Sequence, residues 1–172
     1  MRNFLLLSCF IFSAGVLAAQ APVANPCSTN PVYRQFDFWI GNWDVFALNG
    51  KKAGESRIER LLDSCVIQEN WTSSQGGYSG KSYNSYNAAT GKWQQYWVDN
   101  KGGVTSYTDG RFENNKMVFL TESQPQPDGT NKIQRLSFYH LSDDHVRQHG
   151  ESSLDGGKTW KTDYDLSYKR KQ

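Results

Sequence analysis

The sequence predicts an all-β fold, an up-and-down antiparallel β-barrel of about ten strands. Three observations lead there. Beyond residue 40 apolar and polar residues alternate with a period of two, and turn signals recur every eight to twelve residues or so. Aromatic residues make up 14% of the chain while aliphatic residues are sparse, so the core must be built largely from rings, which suit pleated strands. No segment sustains a helical period beyond a turn near residues 32–38.

The strands follow in order. Residues 42–48 end at Asn49-Gly50, a hairpin signal because both residue types accept positive φ. Further strands are expected over 54–62, 64–73, 80–88, 92–99, 103–108, 111–122, 130–141, 145–152 and 159–169. Their connections are short and rich in turn formers, among them Gln75-Gly76-Gly77, Asp109-Gly110 and Asp155-Gly156-Gly157. Sequential strands joined this way close most naturally into a barrel, which removes sheet edges; a two-sheet sandwich is the alternative.

At the N-terminus, Arg2 precedes an apolar run from Phe4 to Leu17 and then small residues. That order reads as a secretory signal peptide, too short for a stable bilayer-spanning helix and cleaved after Ala18. A lipid anchor at Cys9 is disfavoured because the apolar run continues well past it. The expected organisation is a signal peptide over 1–18, an irregular segment over 19–35 and one barrel domain over 36–172, about the size that holds a single core. The expected location is periplasmic or secreted, with no membrane association after signal removal.

Cleavage leaves two of three cysteines, Cys27 and Cys65, and in an oxidising compartment they most simply form one disulfide. Closing a loop of that length stabilises by on the order of 3–4 kcal/mol. Charge is uninformative: without Arg2, basic residues fall from 19 to 18 against 17 acidic ones. The basic run Lys169-Arg170-Lys171 reads as a solvated tail, and nothing supports a nucleic-acid surface.

Two local motifs add detail. Gly41-Asn42-Trp43, opening the first strand, resembles the Gly-x-Trp of lipocalin-like (calycin) barrels, in which glycine permits close backbone approach and the indole plugs the closed end. Lys169 or Arg170 from the last strand could stack on that indole. Ser153-Leu154-Asp155-Gly156-Gly157-Lys158-Thr159-Trp160 matches the Asp-box S-x-D-x-G-x-T-W. A single copy in a chain this short points to a local hairpin and not to a sialidase propeller. Together with 36–45, 65–71 and 93–99, these segments resemble an uncharacterised family of exported bacterial calycin-like barrels. That resemblance implies the fatty-acid-binding-protein or lipocalin type of fold and export, and no known activity.

The candidate site starts from Trp93-Gln94-Gln95-Tyr96-Trp97-Val98-Asp99. On a strand Trp93, Gln95, Trp97 and Asp99 share one face, and large aromatics alternating with hydrogen-bonding groups compose a pocket wall. Glu69 and Trp71 share a face with Cys65 and Ile67. On 130–141, either Arg135 and Tyr139 or Leu136 and Phe138 point inward, and a polar lumen selects the first pair. Glu69, Asp99 and Arg135 then form one interior cluster, since buried charges must be paired. The candidate ligand-binding residues are therefore Glu69, Trp71, Trp93, Gln95, Trp97, Asp99, Arg135 and Tyr139; the competing reading turns the tryptophans outward under loops and leaves the charges solvated.

Asp143, His145, Arg147, His149 and Glu151 also share a face. Arg147 would repel a cation there, and residues two apart on a strand stand about 6.6 Å from each other, so a salt-bridge ladder is expected and no metal site. No nucleophile motif is present, and no cofactor is expected. The sequence thus predicts a barrel, monomeric or dimeric, that binds a small apolar or aromatic molecule with a polar end. Two alternatives remain open: an isomerase, cyclase or hydrolase using Glu69 or Asp99 as general base, and a structural or interaction barrel filled by its own tryptophans.

Overall fold

The computed structural model describes residues 25–172, so the expected signal peptide, with its expected cleavage after Ala18, lies outside the described residues. Ten strands pair antiparallel in a closed ring: β1 (Gly41–Ala47), β2 (Lys52–Leu61), β3 (Val66–Ser73), β4 (Ser79–Asn87), β5 (Lys92–Asp99), β6 (Val104–Glu113), β7 (Lys116–Thr121), β9 (Asn131–Ser142), β10 (His145–Ser153) and β11 (Lys161–Arg170). A two-residue strand, β8 (Gln124–Pro125), pairs with the start of β9. Each strand neighbours the next, and β11 returns to β1 with Trp43 opposite Arg170 and Val45 opposite Tyr168. This is the up-and-down barrel, and its closure excludes the sandwich.

One turn differs from expectation. β6 runs straight through Asp109-Gly110 with a register irregularity on both sides, and the chain reverses at Asn114-Asn115, whose φ values are 49° and 60°. Gly110 serves packing instead: a Cβ there would collide with the Trp93 carbonyl and the Phe119 ring. Asparagines tolerate the left-handed conformation that a tight hairpin requires, so they take over the turn.

The N-terminal segment closes one end of the barrel. A short helix, α1 (Pro26–Thr29), precedes two 3-10 turns at Pro31–Arg34 and Asp37–Trp39, the first capped by the Asn30 side chain accepting from Val32 N–H. The second carries Phe36 and Trp39 into the lumen, fully buried. Phe36 stacks on Trp39 (5.0 Å, 18°) and meets Phe138 at 5.0 Å, while Trp39 lies 4.5 Å from Phe138. Rings of this size contribute on the order of 2–3 kcal/mol each on burial.

Trp43 completes the plug, its indole N–H donating to the Trp39 carbonyl at 2.8 Å. Arg170 lies 4.4 Å over that indole and donates to the Ile40 and Asp143 carbonyls. Gly41 has φ 143°, and a Cβ there would overlap the Arg170 guanidinium. The stacking cation is therefore Arg170; Lys169, one position along, sits over Phe46.

The Cys27–Cys65 disulfide is formed and ties α1 to the β2–β3 turn. Leu62, Asp63 and Ser64 in that turn are all left-handed, with φ of 50°, 51° and 75°, each costing on the order of 1–2 kcal/mol. Asn25 donates to the Asp63 carbonyl (2.7 Å) and Arg34 to the Ser64 carbonyl (2.6 Å), so the N-terminal segment holds the turn it covers.

Candidate functional site

Side chains along each strand are layered from the plugged end to the mouth. On β3 the inward residues are Ile67, Glu69 and Trp71; on β5, Trp93, Gln95 and Trp97; on β11, Tyr168, Leu166 and Tyr164. The first layer packs against Phe36, Trp39 and Phe138. The second is a polar floor, and the third surrounds a cavity of about 280 Å³. That volume lies near the lower limit of small-molecule sites, about 300 Å³. Tyr78, Thr105, Tyr107, Gln134, Leu136 and Gln148 complete the wall. The lumen is thus half filled by its own rings and half open.

The floor is organised around Glu69, which is only 3% exposed. Its Oε1 accepts from Ser56 Oγ (2.9 Å) and its Oε2 from Ser82 Oγ (3.2 Å). Register explains both: Ser82 is the direct partner of Glu69 on β4, and Ser56 on β2 faces Trp71, one inward position along. The Tyr168 hydroxyl reaches from β11 to within 3.3 Å of Oε1 and 2.9 Å of the Gln148 amide oxygen, and its one proton serves one of them at a time. Behind Ser82 a chain of donors runs from Gln95 Nε2 to Asn84 Oδ1 (2.7 Å) and from Asn84 Nδ2 to Ser82 Oγ (3.1 Å).

No cation reaches this carboxylate: none of the ion pairs among the described residues includes Glu69. Burial pushes its pKa up to about 7, against the opposing pull of the Ser56, Ser82 and Tyr168 hydroxyls. Both protonation states are therefore populated near neutral pH. The surrounding tyrosines do not titrate there. Burial raises Tyr78 and Tyr107 and carries the enclosed Tyr168 well above the ordinary phenol range; Tyr164, 40% exposed, is raised by its partial burial.

No protein-family model and no curated protein matches the chain. Among solved structures, a protein of unknown function from the DUF3598 family of Nostoc punctiforme is similar over 81% of this chain and 99% of its own, at 8% identity and a TM-score of 0.27. Agreement that loose carries no functional argument. The site must be read from its own chemistry.

Of the eight candidate residues, Glu69, Trp71, Gln95 and Trp97 come together on the cavity. Trp93 shares their face but lies one layer down in the packed end, where its indole N–H donates to Gln35 Oε1 at 3.1 Å. Asp99 sits at the mouth, outside the lumen cluster. Its Oδ1 accepts from the Gly103 and Lys101 backbone N–H groups and its Oδ2 from the Tyr78 hydroxyl. The Gly103 and Lys101 bonds hold its carboxyl below the usual range.

Arg135 and Tyr139 require correction: both point outward. Arg135 forms a bidentate pair with Glu151 (2.8 and 2.9 Å) and lies 4.0 Å over Trp160, while Tyr139 lies 5.1 Å from the Arg147 guanidinium. Leu136 and Phe138 turn inward because the adjoining layer is apolar, with Phe36, Trp39 and Phe119 against them. A polar lumen was the premise for the opposite choice, and only one layer of it is polar. Without Arg135, the interior triad reduces to Glu69 alone.

The wall residues outside the candidate set are Tyr78, Thr105, Tyr107, Gln134, Leu136 and Gln148, and on β11 Tyr164, Leu166 and Tyr168. A signal existed. If Arg170 stacks on Trp43, alternation places residues 168, 166 and 164 on the same inward face.

Outside the barrel, His149 lies 3.5 Å from Glu151 and Arg147 pairs with Asp165 at 2.6 Å, so that row is an ion-pair ladder. Among the described residues no group of three or more metal-ligating side chains converges, and no helix is long and apolar enough to cross a membrane. The Asp-box folds as a hairpin: Asp155 accepts from Lys158 and Thr159, Ser153 Oγ from Gly157 N–H, and Trp160 donates to the Gly157 carbonyl.

Proposed function

We propose that this protein is an exported carrier that holds one small molecule in the open half of its barrel, with an apolar or aromatic body against Trp71 and Trp97 and a polar end at Glu69. The observation that carries the reading is the half-filled lumen, a cavity of about 280 Å³ whose aromatic wall ends in one buried carboxylate. Exposed apolar residues at the loops and strand ends of the same mouth, Leu48, Val104 and Leu154, suit entry of an apolar compound. The disulfide supports export, since such bonds persist in oxidising compartments. Tryptophan fluorescence against a panel of lipids, aromatics and sugars tests it. Saturable quenching that is lost in Thr105→Phe, which narrows the mouth opposite Trp97, is expected; a flat response across the panel contradicts it.

One observation favours a second reading. A carboxyl poised near pH 7 is suited to general acid–base catalysis, with Glu69 and not Asp99 as the proton carrier. Analysis of the compounds recovered from the same panel separates the two. Conversion by the wild type and not by Glu69→Gln marks an enzyme, and unchanged recovery marks a carrier.

A further inference from the structure

We propose that the molecule held in this lumen is an organic monocation, a protonated amine or quaternary ammonium on a body of about one ring, with Glu69 as its counter-ion. The inference rests on the carrier reading and names the class of its ligand. Its ground is an asymmetry in the cavity: the wall contains a buried acid and no base. Lysines, arginines and histidines are all absent from the lining. Ser56 and Ser82 occupy two of roughly four acceptor positions on the Glu69 carboxylate, and Tyr168 a third when its proton is not on Gln148, which leaves at least one directed contact and the whole charge unanswered.

The rest of the wall selects the same sign. Trp71, Trp97, Tyr78, Tyr107 and Tyr164 present rings whose faces are electron-rich, and such faces attract cations most strongly when water is excluded. An anion would meet those faces and a carboxylate together. Asp99 at the mouth and Asp163 beside Tyr107 and Tyr164 add negative charge along the approach.

The groups facing Glu69 are Ser56 from β2, Ser82 from β4 and Tyr168 from β11. Gln95, Gln148, Tyr78, Tyr107 and Tyr164 complete the surroundings. None of them changes charge between pH 5 and 8, because the tyrosines are all raised. His145 on Ser167 and His149 on Thr162 lie on the outer face, while His140, on the inward face of β9, stacks on Phe38 at the plugged end and is not part of the cavity lining. Glu69 alone sets the charge of the cavity over that range.

The test compares benzyltrimethylammonium with its uncharged isostere neopentylbenzene, by calorimetric titration at pH 8 and pH 5.5. At pH 8 the cation is expected to bind about tenfold tighter or more. That preference should collapse to within about threefold in Glu69→Gln and, in the wild type, at pH 5.5 where Glu69 is protonated; the pH arm does not depend on the variant folding. Equal binding of the two probes at pH 8, or a preference that survives both neutralisations, overturns the cation and leaves the carrier reading standing. Failure of both probes to bind overturns the two together.

Discussion

Replacing Glu69 by Gln should change how stability depends on pH. The folded protein holds this carboxyl at about 7 against 4.5 for a free side chain, because burial penalises the charge. Between those values the folded state binds more protons than the unfolded state, so stability falls as pH rises. The contribution is fully present below pH 4.5 and gone above pH 7. At 1.36 kcal/mol per pH unit, the gap amounts to about 3 kcal/mol, or about 6–12 °C in Tm for a domain of this length. Gln has the same shape, can accept from Ser56 and donate to Ser82, and does not titrate. Urea unfolding of wild type and Glu69→Gln at pH 5, 6.5 and 8 should therefore show the two proteins close together at pH 5. The variant should be more stable by about 3 kcal/mol at pH 8. Parallel pH profiles, or a variant that loses stability relative to wild type as pH rises, would refute the reasoning.

Other perturbations probe the frame that positions the site. Cys27→Ser with Cys65→Ser opens a loop of sequence separation 38, and the urea midpoint should report a loss of about 4 kcal/mol. Arg170→Ala removes the cation over Trp43 and the donors to Ile40 and Asp143, an expected cost of about 2–4 kcal/mol by the same assay. Arg170→Lys should recover less than half of it, since an ammonium cannot stack and serve both carbonyls. Gly110→Ala should cost about 2–3 kcal/mol in thermal unfolding because its Cβ meets the Trp93 carbonyl. Asn115→Gly, at φ 60°, should leave the melting curve nearly unchanged.

Alternation made the barrel legible, because period-two patterning and turn residues are local properties of strands. It also grouped Trp93, Gln95 and Trp97 on one face, as they are. What alternation does not encode is height along the barrel axis. Trp93 and Trp97 differ only in layer, and the layer is decided by where Phe36 and Trp39 from a short, irregular segment enter the lumen. Asp109-Gly110 misleads for a related reason: a glycine needed for close approach to Trp93 looks the same in sequence as one needed for a turn. For β9 both faces carry large side chains, so the choice between Arg135 and Leu136 turns on the polarity of a layer built by other strands. A last-strand cation over Trp43, Lys169 or Arg170, was readable from the ends of the chain, and once it is Arg170 the inward placement of Tyr168, Leu166 and Tyr164 follows.

The division of the lumen sorts the six tryptophans into three environments: Trp39, Trp43 and Trp93 in the packed end, Trp71 and Trp97 on the cavity wall, and Trp160 in the outer hairpin. Their indole N–H signals in a ¹⁵N-labelled sample, titrated with benzyl alcohol as a ring bearing a polar end, test that division directly. Saturable shifts of the Trp71 and Trp97 signals, with those of the other four unmoved, are the predicted result. Shifts spread evenly over all six, confined to Trp160, or absent would contradict a ligand site in the open half of the barrel.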